Sequence, residues 1–163
     1  MICSLCDARC CKNYVITITI FDLIRIEQCK GHYSSFAEIR NLDILNYDPD
    51  FVIKYENNNY GLLTLKSHPC IFLKHNRCSI WKCAPMVCKL YPYNVKGKFI
   101  GSCPLLSSLL FRFKKPSHVL LKKAEKEFGS YKQIVAKINT LNLKKNSIIN
   151  KMKEYANSLH KDK

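Results

Sequence analysis

A chain of 163 residues with 47% hydrophobic content can form one domain with an ordinary core, and its net charge of +15 is large for that size. No stretch approaches the roughly 20 consecutive apolar residues that cross a bilayer; the longest candidate, residues 105–113, is broken by Ser107, Ser108 and Arg112. No basic-then-apolar leader precedes Cys3, so the expected compartment is the cytoplasm, where ten cysteines are not readily read as a disulfide framework.

The opening CSLCDARCCKN reads as a tight loop with two cysteine pairs. Residues 14–19 are β-branched and alternating, the pattern of a short strand. Thr19 is placed to cap a helix over residues 21–30, with Asp22 near the positive end of its dipole and Gly31 as terminator. Ser35 and Glu38 have capping-box spacing, which predicts a second short helix to Asn41. Residues 51–56 and 60–66 read as strands joined at Asn57-Asn58-Asn59, because asparagine tolerates the positive φ of a tight turn. A second hairpin is expected from 70–73 to 78–81, with Asn76 in the connection. Pro85 then opens a helical turn through Cys88 to Leu90, and residues 95–101 form a last strand that delivers Cys103-Pro104.

Beyond Pro116 three apolar stripes recur at helical spacing: Leu120, Leu121, Ala124 and Phe128; Ile134, Val135 and Ile138; Ile148, Ile149, Met152 and Tyr155. They predict amphipathic helices with lysine-rich outer faces and apolar faces making core contacts. Ser117 caps the first helix and Gly129 closes it. The fold class expected is α+β: a small metal-centred domain of short antiparallel strands and helices over residues 1–112, then a lysine-rich helical tail over 113–163. Residues 112–163 hold 14 of the 27 basic residues and only 4 of the 12 acidic ones. Such asymmetry suits an acidic partner, a protein or a nucleic acid, met through the basic C-terminal helices.

Most of the cysteines are grouped. Cys3, Cys6, Cys10 and Cys11 form a C-x2-C-x3-C-C run, and loops this short bring thiolates to one point at little entropic cost. Cys10 and Cys11, adjacent on extended backbone, are expected to point apart, so that one serves a different metal atom or a second site. A second group comprises Cys70, Cys78, Cys83, Cys88 and Cys103. The metal ligands expected are Cys3, Cys6, Cys10, Cys11, Cys70, Cys78, Cys88 and Cys103. Eight thiolates suffice for two four-thiolate sites, or for one cluster with other ligands alongside. Cys29, on an apolar-periodic segment, reads as a small buried hydrophobe. Cys83 reads as a local substitution, with a spare ligand or a reactive thiol as alternatives; Cys11 is the other candidate reactive thiol. His68 and His75 flank Cys70 but read as exposed loop residues.

These motifs resemble the YkgJ-like cysteine-cluster family of zinc- or iron-chelating proteins. That family shows an N-terminal cysteine cluster ending in CC and then a Thr-x-x-Asp-hydrophobic-x-Arg-Ile stretch, here Thr19, Asp22, Leu23, Arg25 and Ile26. Its later block corresponds to Cys70-Ile-Phe72-Leu73, Cys78-Ser-Ile80-Trp81, Pro85-Met-Val-Cys88-Lys89-Leu-Tyr91-Pro92 and Cys103-Pro104, so the match spans residues 3–104. The resemblance implies a cysteine-bound metal centre. Soft thiolates favour both an iron–sulfur cluster and Zn2+, and kinship with a flagellin-lysine methylase linked to an iron–sulfur cluster tips the expectation slightly to the former. That kinship also raises a protein-lysine methyltransferase-like enzyme as an alternative, beside a nucleic-acid-associated zinc module. Ala84 and Lys89 stand where the family has arginines, which weakens any anion-binding or cluster-orienting role there. Cys83 has no family counterpart.

No catalytic residues stand out. The five glycines form neither a phosphate loop nor a dinucleotide fingerprint, and no serine sits in a nucleophile elbow. Asp22 and Arg25, one helical turn apart, read either as a surface ion pair or as a pair facing the metal loop and fixing its geometry.

Overall fold

Two short strands of alternating burial flank a third that is buried continuously from residue 61 to 65, forming a three-stranded antiparallel sheet in a computed structural model that describes residues 8–41, 47–99 and 115–161. Its strands are β1 (Ala37–Arg40), β2 (Ile53–Tyr55) and β3 (Asn59–Leu65), with β3 in the middle. β1 pairs with β3 from Ala37↔Leu65 to Arg40↔Leu62, and β2 pairs from Ile53↔Gly61 to Tyr55↔Asn59. The Asn57-Asn58-Asn59 turn is present, with Asn58 at φ 57°. Gly61 lies where the sheet crowds most closely: a Cβ there would stand 2.8 Å from the carbonyl oxygen of Arg40.

Residues 33–40 correct one expectation. Instead of a helix from Ser35, a 3-10 turn over Tyr33–Ser35, capped by His32, leads into β1. Ala37 and Ile39 are buried while Glu38 and Arg40 face outward, and period-two burial against β3 outweighs the local capping signal. Residues 14–19 do lie against β3, but only as a single bridge, Thr17↔Thr64, flanked by Ile18 N–H to Leu63 O and Leu65 N–H to Ile16 O.

The helices follow from their caps. α1 (Arg9–Asn13) is a single short turn. α2 (Ile20–Lys30) begins in a full capping box between Thr19 and Asp22 and ends at Gly31, φ 84°. The second hairpin is shorter than its sequence suggests: β4 (Leu73–Lys74) and β5 (Arg77–Cys78) are joined by His75 and Asn76, both at positive φ. A 3-10 turn over Trp81–Cys83 precedes α3 (Met86–Leu90), which Pro85 opens. In place of a final strand, the described part of residues 95–101 shows one bridge, Tyr93↔Phe99; residues 100–101 and the Cys103-Pro104 that the strand was to deliver lie outside the described residues, as does segment 105–113.

α4 (His118–Asn139) runs unbroken through Gly129 and is capped by Ser117, which accepts from Leu120 N–H. A helical glycine costs about 1 kcal/mol against alanine, less than the burial of Tyr131, Ile134, Val135 and Ile138 one turn further on returns. α5 (Lys145–Lys161) follows. The second and third stripes enter the same core as Ile18, Leu23, Ile26, Ile39, Leu63 and Leu65, whereas Leu120, Leu121, Ala124 and Phe128 pack with Met86 and Leu90 of α3 in a separate cluster, so all three are core contacts. With five helices and short antiparallel strands among the described residues, the fold is α+β. No described helix is long and apolar enough to cross a membrane.

Thr64, next to the end of β3, is fully buried and its hydroxyl finds no partner among the described residues. Thr64→Val keeps the β-branched shape and removes a desolvated donor. It should stabilise the fold by about 1 kcal/mol, read as a higher urea midpoint at unchanged slope.

Candidate metal centre

Five of the eight cysteines expected as ligands fall in the described residues: Cys10 and Cys11 on α1, Cys70 in the loop after β3, Cys78 at the end of β5 and Cys88 on α3. Cys3, Cys6 and Cys103 lie outside them. The five come from four separate elements, and backbone contacts explain how two of those meet. Cys70 N–H donates to the carbonyl of Cys11 at 2.8 Å, which ties the loop to α1.

The thiols then meet directly. Cys11 shares hydrogen bonds with both Cys10 and Cys70. The single Cys11 proton, shared between them, is the largest cause that lowers Cys10 to about 6 and Cys70 to about 7, while negative charge at Cys10 opposes ionisation of Cys70. The same bonds, first to Cys10 and then to Cys70, push Cys11 far up and leave it holding the proton. Burial raises Cys78, and it raises Cys88 strongly, with the negative charge developing at Cys70 and Cys10 adding to both. Cys10 and Cys11 thus do not diverge: on a helical turn rather than extended backbone, their thiols come within hydrogen-bonding reach.

Among the described residues, no group of three or more His, Cys, Asp or Glu side chains stands at ligating geometry. The donor set nonetheless fits a thiophilic metal. It is all sulfur, its members raise one another's charge cost, and a cation among them would relieve that cost. His68 and His75 are exposed, the second in the β4–β5 turn.

Asp22 connects this cluster to the rest of the molecule. Its carboxylate is fully buried and accepts from four donors: Thr19 N–H and Thr19 hydroxyl at 3.0 Å each, Met86 N–H at 2.8 Å, and the Arg25 guanidinium. Met86 is the first residue of α3, so Asp22 fixes the start of the helix that carries Cys88. Arg25 reaches on to Glu127 of α4 at 3.1 Å. This is no surface ion pair: it is a buried clamp between α2, α3 and α4.

The chain matches, over residues 2–128, the model of a family described as "CxxCxxCC: Putative zinc- or iron-chelating domain". It belongs to that family. Comparisons with curated proteins and with solved structures gave no match. This member of the CxxCxxCC family buries Ala84 completely, so an arginine at that position would have no room in this packing. Lys89 donates to the carbonyl of Lys82 and, partly desolvated beside Arg25 and Lys123, is lowered in pKa.

Sequence reasoning missed one pair of cysteines. Cys29, expected as a buried hydrophobe, is exposed near the end of α2, and its sulfur is bonded to that of buried Cys83. The two are 54 residues apart, and only the packing of α2 on the turn over Trp81–Cys83 brings them together.

Removing the Asp22 carboxylate leaves Arg25, Met86 N–H and Thr19 without their acceptor. Asp22→Ala should cost about 3–5 kcal/mol by urea unfolding, and hydrogen exchange at Met86 should accelerate more than exchange in β3.

Proposed function

We propose that the chain holds a metal centre through cysteine thiolates drawn from Cys3, Cys6, Cys10, Cys11, Cys70, Cys78, Cys88 and Cys103, and that the centre is an iron–sulfur cluster in preference to Zn2+. The observation that carries the reading is the convergence of Cys10 and Cys70 on Cys11, with Cys78 and Cys88 within electrostatic reach. Family membership supports chelation of zinc or iron. The resemblance to a methylase linked to an iron–sulfur cluster supports the choice between them.

An iron–sulfur cluster would supply one-electron redox chemistry, whereas zinc would supply a rigid cross-link. The chain's own residues do the positioning. The Cys70 amide tethers its loop to α1, and Asp22 holds α3 by the Met86 amide, so the segments that carry Cys70 and Cys88 are positioned by contacts that need no metal. His68 and His75, exposed, have no part in the donor set.

Purified anaerobically, the protein should be brown, with charge-transfer absorption in the visible and stoichiometric iron and sulfide. Cys11→Ser and Cys70→Ser should each lose most of the bound metal, whereas His75→Ala should retain it. Because metal affinity at a structural thiolate site is folding energy, about 10–16 kcal/mol apparent for zinc peptides, a chelator should lower the unfolding midpoint sharply. A colourless protein with stoichiometric zinc would replace the cluster by a zinc site; a metal-free protein of unchanged stability would remove the centre altogether.

A further inference from the structure

Two of the ten cysteines stand apart from the thiol cluster and are joined to each other. Cys29 sits on the last turn of α2 and Cys83 ends the 3-10 turn that leads into Pro85 and α3; their Cα atoms are 6.8 Å apart. Their environments differ. Cys83 is only 5% exposed, whereas Cys29 faces solvent, between exposed Gln28 and Lys30. We infer that Cys29–Cys83 is a thiol–disulfide exchange site, separate from the metal thiolates, which accepts and returns two electrons by reaction with external thiols and disulfides.

The non-covalent structure keeps the two sulfurs close whether or not they are bonded. Cys83 N–H donates to Ile80 O at 2.9 Å and Ala84 N–H to Trp81 O at 3.3 Å, which closes the turn on itself. Beyond it, Asp22 grips Met86 N–H, so α2 holds this segment at a second point independent of sulfur. A reduced pair therefore stays pre-organised, and closing the bond again requires little chain entropy.

Exposure sets the order of events. Cys29 is the exposed partner, so an incoming thiolate is expected to bond at its sulfur; the Cys29–Cys83 bond breaks, and Cys83 leaves as a thiolate that takes up a proton. A second thiolate attacks the external sulfur of the mixed disulfide and releases Cys29 as a thiolate, which is protonated in turn. The balance is one protein disulfide and two thiols giving two protein thiols and one external disulfide. Oxidation by an external disulfide is the reverse.

The test uses the full chain, purified anaerobically with whatever metal it carries, in buffers of graded glutathione to glutathione disulfide ratio, followed by differential alkylation and peptide mass mapping. Cys29 and Cys83 should pass together between alkylated and cross-linked forms, with a two-electron slope and no change in metal content. In Cys83→Ser, glutathione should be trapped on Cys29. In Cys29→Ser, capture on Cys83 should be at least tenfold lower, and metal content should equal that of the parent. The wild-type titration needs no variant and decides the matter alone. A pair that stays bonded, or stays independently alkylated, at every ratio overturns the inference, as does loss of metal from Cys29→Ser. None of these outcomes depends on which metal, if any, the cluster binds.

Discussion

The burial of one carboxylate organises the described structure. Taking Asp22 out of water costs several kcal/mol, and only a complete set of donors offsets that. Each donor comes from a part of the chain that must be positioned: the cap of α2, the first amide of α3, and a guanidinium braced by Glu127 of α4. An acceptor that requires all of these at once acts as a coincidence test on the fold. The arrangement also explains how a cysteine as remote as Cys88 reaches the neighbourhood of Cys10, since α3 has a fixed start and Cys88 N–H closes its turn on Pro85 O.

What was legible in the sequence was local. Thr19 as a cap, Gly31 as a stop, the asparagine turn before β3, Asn76 in the β4–β5 connection and the helical turn after Pro85 each depend on a few neighbouring residues, and each is present. Where the reading failed, a distant partner had overruled a local preference. Ser35 and Glu38 have the spacing of a helix start, but β3 offers residues 37–40 a ladder and a buried face. Gly129 has the composition of a helix end, but the stripe that continues beyond it has a core to enter.

The site divides in the same way. Cysteine spacing marked out a thiol cluster because short loops bring sulfurs together by covalent geometry alone. It misjudged the Cys10–Cys11 step, where helical rather than extended backbone decides whether adjacent thiols meet. It gave no sign that Cys29 and Cys83 would meet, because Cys29 lies outside both cysteine groups, Cys83 falls within the second, and their approach depends on one helix packing on one turn.

Charge links these observations. The surplus of +15 counts every thiol as neutral, and each one bound to a metal as thiolate subtracts from it. Part of the lysine excess is also engaged within the fold. Lys132 of α4 holds Asp48 and Asp50 at 2.7 and 2.9 Å, and Lys153 of α5 holds Glu27 of α2 at 2.7 Å. The first pairing is largely exposed and worth at most about 1 kcal/mol, so such contacts orient the helices more than they stabilise them. Of the described cluster thiols only Cys10 and Cys70 lean toward the anionic form, while Cys11, Cys78 and Cys88 are raised. Collecting several thiolates in one place therefore calls for a cation among them to offset their mutual repulsion.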